Sequence, residues 1–416
     1  MNPHRQLQRR LGVFDATSIG LGSMLGAGVF VVFSPAARLA GDFLVLAVLL
    51  AGAVAYCNAV ASAELAARYP ASGGTYVYGR KRLGEWPGFL AGWGFVSGKS
   101  ASCAAMALTF GHYVAPEYAV PVAVAAVVAL TVVNLFGITR TALLTRILLC
   151  VVLATLLFVA IAALAGPHPA GAAPGAGGPV AGGLGGVLPA AGLMFFAFAG
   201  YARIATLGEE VKDPARTIPR AILAALGGAF VIYLGLALLL QSHLPDGRLA
   251  ATDVPLLDAV LNSQLAAGAP LVRAGAAAAS LGALLALITG VGRTTLAMAR
   301  ERDLPAALAR VGGRHAVPAV AELAVAAVVV LLLLTTDVIT VVGFSSFGVL
   351  IYYAVTNAAA YTLEAHPSHA PKWLNVVGFA GCLLLAFTLP PASVLGMAAV
   401  LAAGAAVRFL VIRLRS

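Results

Sequence analysis

The stretch Gly20-Leu-Gly-Ser-Met-Leu-Gly-Ala-Gly-Val-Phe30 opens the first long hydrophobic segment of the chain, and four of its eleven residues are glycine. Each glycine in a helix interior costs about 1 kcal/mol relative to alanine, so we expect the helix to break here. Backbone groups freed inside a membrane are tolerated only where they are buried in protein or line a cavity. The amide N–H groups and the half-helix dipole at such a break favour an anion. The stretch therefore predicts a carboxylate-binding site within a membrane.

Composition places the whole chain in a membrane. Of its 416 residues, 61% are hydrophobic and only 10% are charged, and the mean hydropathy is +0.96. Soluble domains carry about 25% charged residues, so we predict a single polytopic membrane unit rather than soluble domains. The net charge of +10 comes from Lys and Arg that lie between apolar runs, as topology signals do. This pattern argues against nucleic acid as a partner.

The cysteines and histidines show no pattern of a metal or redox site. The four cysteines lie inside apolar segments without a Cys-x-x-Cys pair: Cys57, Cys103, Cys150 and Cys382. They predict buried thiols and no disulfide framework. His366 and His369 lie in a short loop and are assigned no metal. We expect no cofactor.

Apolar segments of about 20 residues, long enough to cross a membrane as helices, recur along the chain. The sequence predicts twelve, at roughly 13–38, 42–67, 86–113, 118–137, 142–165, 188–208, 218–242, 268–298, 317–335, 337–363, 373–389 and 392–412. The distribution of Lys and Arg between them predicts that both termini are cytoplasmic. Residues 166–187, rich in Gly, Ala and Pro, are predicted to be an external loop.

The sixth segment shares an unusual feature with the first. It reads Gly192-Leu-Met-Phe-Phe-Ala-Phe-Ala-Gly-Tyr-Ala-Arg-Ile-Ala-Thr-Leu-Gly-Glu-Glu210, so that Gly200 interrupts it and Arg203 follows. Two broken segments five segments apart run in opposite directions, as an inverted repeat of five helices requires. We predict a first repeat over 1–165, a second over 188–363 and two further helices in 364–416.

Four motifs lie in or directly after predicted membrane segments: Gly26-Ala-Gly-Val-Phe30, Ala63-Glu-Leu-Ala-Ala-Arg-Tyr-Pro-Ala-Ser-Gly-Gly-Thr-Tyr-Val-Tyr78, Glu209-Glu-Val-Lys-Asp-Pro-Ala-Arg-Thr-Ile-Pro219 and Ala299-Arg-Glu-Arg-Asp-Leu-Pro305. Together they resemble the motifs of one transporter family, the amino acid–polyamine–organocation (APC) permeases. The resemblance covers segments one to ten in the family's order and spacing. It implies an all-helical LeuT-like fold with two extra C-terminal helices, which carries an amino acid or a related amine across the cell membrane by alternating access.

The resemblance also implies where the substrate binds. By position, the substrate carboxylate is held by backbone amides of the first break, at Leu25, Gly26, Ala27 and Gly28. Carbonyls of the sixth segment, around Gly200, hold its amino group. Phe196 stands where relatives have an aromatic gate, and the site is lined by Ala197, Phe198 and Ala199. Small walls at Ala27, Ala197 and Ala199 favour a neutral amino acid.

Two positions depart from the pattern of some relatives. A lysine that replaces a sodium ion in some proton-coupled relatives falls close to Val152 here. The acidic residue that arginine-exchanging relatives carry in the sixth segment falls at Ala202. The first difference removes one known coupling device, and the second argues against a dibasic substrate.

Lys99 lies inside the third apolar segment. An ammonium group within a membrane is costly and by default marks an ion or proton pathway. Lys99 is therefore a candidate proton acceptor that substitutes for the lysine missing at Val152. The alternatives are a lysine that reaches an interface, or one paired structurally with a carboxylate.

Three further charged residues are candidates for coupling or gating. Arg203 could bind a carboxylate or repel sodium, although pairing with the nearby Glu209 or Glu210 is the more ordinary explanation. Glu64 and Glu209 lie at segment ends beside Arg and Lys, where ion pairs of an inner gate would break and re-form. Surface pairs worth under about 1 kcal/mol are the alternative.

The sequence therefore predicts a secondary carrier for an amino acid, with proton coupling as the first expectation. Exchange and sodium coupling stay open, and hydroxyls for a sodium site would come from Ser280, Thr289, Thr294 and Thr295. A membrane enzyme is disfavoured, since the sequence contains no His-Glu-x-x-His and no Gly-x-Ser-x-Gly. A channel or an amino-acid sensor on the same fold is the other alternative.

Overall fold

The computed structural model describes residues 11–26, 28–69, 74–136, 142–166, 183–205, 211–244, 247–311, 317–364 and 370–413. These residues are nearly all helical. The α-helices are α1 Val13–Met24, α2 Gly28–Val31, α3 Phe33–Ala40, α4 Leu44–Arg68, α5 Gly74–Leu83, α6 Glu85–Val114, α7 Ala119–Leu135, α8 Ala142–Ala165, α9 Val187–Phe198, α10 Ala202–Ala205, α11 Pro214–His243, α12 Arg248–Ala251, α13 Pro255–Leu261, α14 Ala269–Arg300, α15 Ala319–Thr335, α16 Val338–Tyr361, α17 Lys372–Thr388 and α18 Pro391–Arg413.

Most of the long helices have the length and composition of membrane spans. Within the described residues, nine helical segments are long and apolar enough to cross a bilayer. Two shorter apolar helices, α15 and α17, have 17 residues each. The 30-residue helix α6 carries Lys99 and several serines and is not among the nine. The chain is thus a multi-pass membrane protein.

The first apolar segment is interrupted where its glycines cluster. Helix α1 ends at Met24, and the amide of Leu25 closes its last turn on the carbonyl of Leu21 at 2.8 Å. The helix resumes at Gly28 and continues through Val32, whose amide donates to the carbonyl of Gly28 at 3.1 Å. Helices α2 and α3 therefore form one nearly continuous half-helix. Ala27 lies outside the described residues.

The sixth segment is interrupted less completely. Helix α9 ends at Phe198, a 3₁₀ turn covers Ala199–Tyr201, and α10 follows over Ala202–Ala205, where the described part of the segment ends. A 3₁₀ turn within a helical run often marks a functional hinge or a strained sequence. The segment is thus an unbroken α-helix up to Phe198 and changes its hydrogen-bonding pattern around Gly200.

A buried ion cluster ties several elements together at the end of the bundle that the predicted orientation places in the cytoplasm. Asp303 accepts from Arg80 at 2.8 Å, from Arg408 at 3.0 Å and from the Tyr76 hydroxyl at 2.8 Å. Burial, and then the bond to Asp303, raise the pKa of the Tyr76 hydroxyl, which therefore remains a donor. Arg408 also stacks over the ring of Trp86, at 4.7 Å from its centroid. The C-terminal helix α18 is thereby fixed to the loop that follows α14 and to the start of α6, and through Asp303 to α5.

Candidate functional site

A cavity of about 160 Å³ lies between the two interrupted segments. Its walls come from α1, the start of α2, α6, α8, the α9–α10 segment and α14. Of the residues predicted for the site, those that line the cavity are Leu25, Gly26, Gly28, Lys99, Phe196, Ala197, Ala199, Gly200 and Arg203. The structure thus brings residues that are far apart in the sequence to one cavity. Two other predicted positions, Ala27 and Glu209, lie outside the described residues.

Phe198 and Glu64 are not among the lining residues. Each residue of an α-helix turns by about 100°, so Phe196 and Phe198 point in nearly opposite directions from α9. The ring of Phe198 packs edge-to-face on Tyr233, with centroids 5.0 Å apart, behind the cavity. Glu64 is buried near the end of α4. Phe198 therefore supports the cavity wall from behind, and Glu64 lies away from the wall.

Glycine allows the two interrupted segments to touch at two points. A Cβ on Gly28 would lie 3.2 Å from the Cα of Ala197, and one on Gly200 would lie 2.6 Å from the amide nitrogen of Met24. Real Cβ atoms do not approach backbone as closely as the second distance. The absence of a side chain at Gly200 is therefore a requirement of the contact between the breaks.

Tyr233 on α11 connects the breaks by hydrogen bonding. Its fully buried hydroxyl lies 2.6 Å from the carbonyl oxygen of Met24 and 3.1 Å from that of Ala197. A phenol has one proton to donate, so the hydroxyl serves one carbonyl at a time. The carbonyl of Met24 or Ala197 that does not receive this proton can thus accept a hydrogen bond from a further donor. The sequence reading missed Tyr233, and a buried tyrosine facing a helix break was the signal that could have found it.

Lys99 extends from α6 towards the 3₁₀ turn of the sixth segment. Its ammonium nitrogen lies 3.5 Å from the carbonyl oxygen of Ala199, at the long limit of a hydrogen bond. The side chain is buried. Val152, where some relatives have a lysine, lines the same cavity from α8. Lys99 therefore places a cation in this cavity from a different helix.

Within the described residues, the charged side chains that line the cavity all carry positive charge. Its lining contains the cations Lys99 and Arg203 and no Asp or Glu. The remaining wall is formed mainly by small and apolar side chains, including six positions of α14: Ala278, Ala279, Gly282, Ala283, Ala286 and Leu287. Within the described residues, such a wall offers no carboxylate to pair with a cationic group.

The hydroxyls considered for a sodium site are not among the residues that line the cavity. Thr289 and Thr294 donate to backbone carbonyls one turn earlier in α14, at 3.0 and 3.2 Å. Ser280 and Thr295 are buried on other faces of that helix. Two serines do line the cavity. The hydroxyl of Ser23 donates to the carbonyl of Ile19 at 2.8 Å, and the hydroxyl of Ser102 lies 2.6 Å from that of Ser345 on α16.

Comparisons with known proteins agree with this architecture. The sequence profile described as Amino acid permease matches residues 15–410. The chain is 54% identical over 401 residues to an uncharacterized transporter of Mycobacterium tuberculosis, covering 96% of this chain and 91% of that protein. It is 25% identical to the branched-chain amino acid permease of Bacillus subtilis, over 76% of this chain and 72% of that protein. It is 27% identical to the chloroplastic cationic amino acid transporter 7 of Arabidopsis thaliana, over 88% of this chain and 68% of that protein.

Proposed function

Because the chain belongs to the amino acid permease family, we propose that it is a secondary transporter that moves a neutral amino acid across the cell membrane by alternating access. The observation that carries this proposal is the cavity between two interrupted membrane segments, which residues of both interruptions line. Interrupted helices at the centre of the membrane are the usual substrate sites of secondary transporters.

The two ends of an amino acid fit the two breaks. The half-helix that begins at Gly28 directs its amide N–H groups and positive dipole end towards the cavity, where a carboxylate binds. The sixth segment offers carbonyl oxygens around Ala199, which accept from an ammonium group. Leu25, Gly26, Ala27 and Gly28 form the first subsite. The turn at Ala199 and Gly200 forms the second.

The side chain of the substrate meets a small apolar wall. Ala197 and the alanines of α14 leave room without offering a charge, and Phe196 lies next to them as the aromatic gate. Ala202, where an acidic residue occurs in arginine-exchanging relatives, also lines the cavity. A neutral substrate is the class that leaves no charge unpaired on this wall.

The transport cycle we propose uses the inverted repeat. A bundle of spans one, two, six and seven rocks against a scaffold of spans three, four, eight and nine, with twelve spans in all and both termini cytoplasmic. Residues 1–165 and 188–363 are the two repeats. Glu64 and Glu209 form ion pairs of the inner gate, and Arg203 excludes sodium. Proton coupling through Lys99 completes the cycle, and exchange is the second possibility.

Counterflow in proteoliposomes tests this function. Vesicles loaded with unlabelled amino acid receive the same labelled amino acid outside, with no ion gradient, in separate trials with L-alanine, L-leucine, L-lysine and L-glutamate. We expect transient accumulation of L-alanine or L-leucine. Accumulation of L-lysine alone would overturn the neutral substrate. Binding without accumulation would indicate a sensor, and a current that does not saturate would indicate a channel.

A further inference from the structure

The ammonium of Lys99 already occupies the part of the site that the proposed function gives to the substrate's amino group. Its nitrogen lies 3.5 Å from the carbonyl oxygen of Ala199. That carbonyl belongs to the 3₁₀ turn that interrupts the sixth segment. A lysine ammonium and an amino acid ammonium are chemically alike, since both are compact cations with three N–H donors. The protein therefore carries an internal counterpart of the substrate's cationic end.

The other carbonyls at the breaks are less open to an incoming ammonium. Met24 and Ala197 share the hydroxyl of Tyr233, at 2.6 and 3.1 Å. The carbonyl of Ala199 receives a long side-chain contact, from Lys99 at 3.5 Å. It is the acceptor that a stronger donor would take over most readily, because a 3.5 Å contact is weaker than one below 3 Å.

The surroundings of Lys99 do not compensate a second cation. Among the described cavity residues, α1, α8 and α14 contribute no titratable side chain, and the α9–α10 segment contributes Arg203, whose charge is permanent. On α6 itself, Cys103 lies one turn away. From α16, Ser345 contacts Ser102 and Tyr352 contacts the ring of Phe95. No carboxylate in this set could hold two ammonium groups together.

We propose that the Lys99 ammonium and the substrate ammonium use the Ala199 carbonyl alternately, so that binding of a neutral amino acid releases the proton of Lys99. The inference rests on the proposed function. The zwitterion enters with no net charge, the N–H bond of one Lys99 proton breaks, and the proton leaves to the aqueous side on which the cavity is open. Lys99 remains as a neutral amine. Proton and substrate thus compete, and the carrier exchanges one for the other instead of moving both together.

Proton release by the unaltered protein is the direct test. Purified full-length protein in weakly buffered detergent solution receives saturating L-alanine or L-leucine, and a pH indicator records the proton change. We expect release approaching one proton per substrate bound. The apparent affinity should weaken by up to about tenfold for each unit of acidification in the range where Lys99 is protonated. Proton uptake, or binding without any proton change, would overturn the proposal.

Two matched lysine variants separate Lys99 from the other lysines. Lys99→Met should bind substrate without proton release and with an affinity independent of pH. Lys81→Met removes a lysine from α5, where the ammonium lies 5.4 Å from the ring centroid of Tyr69, and should release protons as the unaltered protein does. Equal release by both variants would assign the proton to another group and overturn the role of Lys99.

The outcome also distinguishes this inference from the proposed function. Counterflow requires no gradient and reports transport alone. If counterflow is present and no proton is released, the transporter stands and the competition fails. If neither binding nor counterflow is found for any amino acid of the panel, the proposed function itself fails.

Discussion

The helices of the two interrupted segments are broken in different ways. The first loses its helix after Met24 and resumes at Gly28 with a half-helix that runs to Ala40. The sixth keeps a helix for twelve residues and tightens into a 3₁₀ turn, and α10 follows up to Ala205, where the described part of the segment ends. The first therefore presents the amide end of a substantial helix to the cavity, whereas the sixth presents the carbonyl end.

This difference assigns opposite electrostatic character to the two sides of one cavity. Amide groups at a helix N-terminus favour negative charge, and carbonyls at a C-terminus favour positive charge. An amino acid carries both charges at one end of the molecule. The asymmetry of the breaks, which follows from four glycines in one and a single glycine in the middle of the other, fits the asymmetry of the amino acid that we propose as substrate. The following variants alter one break at a time, from the largest expected effect to the smallest.

Gly200→Ala should have the largest effect, because its Cβ would lie 2.6 Å from the amide nitrogen of Met24. The two backbones must separate, at about 1–3 kcal/mol for overpacking. We expect counterflow to fall more than about tenfold. Gly227→Ala on α11, where a Cβ meets nothing within 4 Å, is the matched control. Near-normal counterflow in Gly200→Ala would show that the contact between the breaks is dispensable.

Tyr233→Phe should raise the KM for the substrate by about tenfold, because the carbonyls of Met24 and Ala197 lose their shared donor and a lost buried partner costs about 1–3 kcal/mol. Uptake measured against substrate concentration checks this. Tyr78→Phe is the control, since within the described residues the buried Tyr78 hydroxyl has no hydrogen-bond partner. An unchanged KM in Tyr233→Phe would show that the hydroxyl does not position the breaks.

Ala202→Asp should change which substrates the sixth break accepts. Ala202 lines the cavity, and a carboxylate there would supply the acid that the described lining lacks. We expect L-lysine counterflow to rise several-fold, since a paired charge is far less costly to bury than an isolated one. Ala202→Asn, of nearly equal volume and without charge, is the control. A gain of the same size with Ala202→Asn would point to space or hydrogen bonding as the cause.

Gly28→Ala should have the smallest effect. Its Cβ would lie 3.2 Å from the Cα of Ala197, so the neighbouring backbone must yield by only a few tenths of an ångström. We expect KM to rise about twofold to fivefold with little change in maximal rate, which corresponds to less than about 1 kcal/mol. A loss as large as that of Gly200→Ala would show that the amide side tolerates no displacement.

Where the segments break could be predicted because the cause is local. Glycine weakens a helix wherever the helix lies, so the glycine cluster around Gly26 and the single Gly200 marked both interruptions. The side chains that surround each break could not be predicted from local sequence. Phe198 was expected to line the site and instead packs on Tyr233, because the rotation of α9 about its axis is set by its neighbours.

The sequence by itself determined the membrane class, the nearly all-helical fold, the family and the two interruptions, since hydrophobic length and glycine content act through residues close in the chain. Only the tertiary structure decided that Tyr233 joins the breaks and that Lys99 and Val152 face one cavity from different helices. Helices of similar hydropathy can pack in many rotations, and within a bilayer apolar burial does not choose among them. Close contacts at glycine and a few buried hydrogen bonds make that choice.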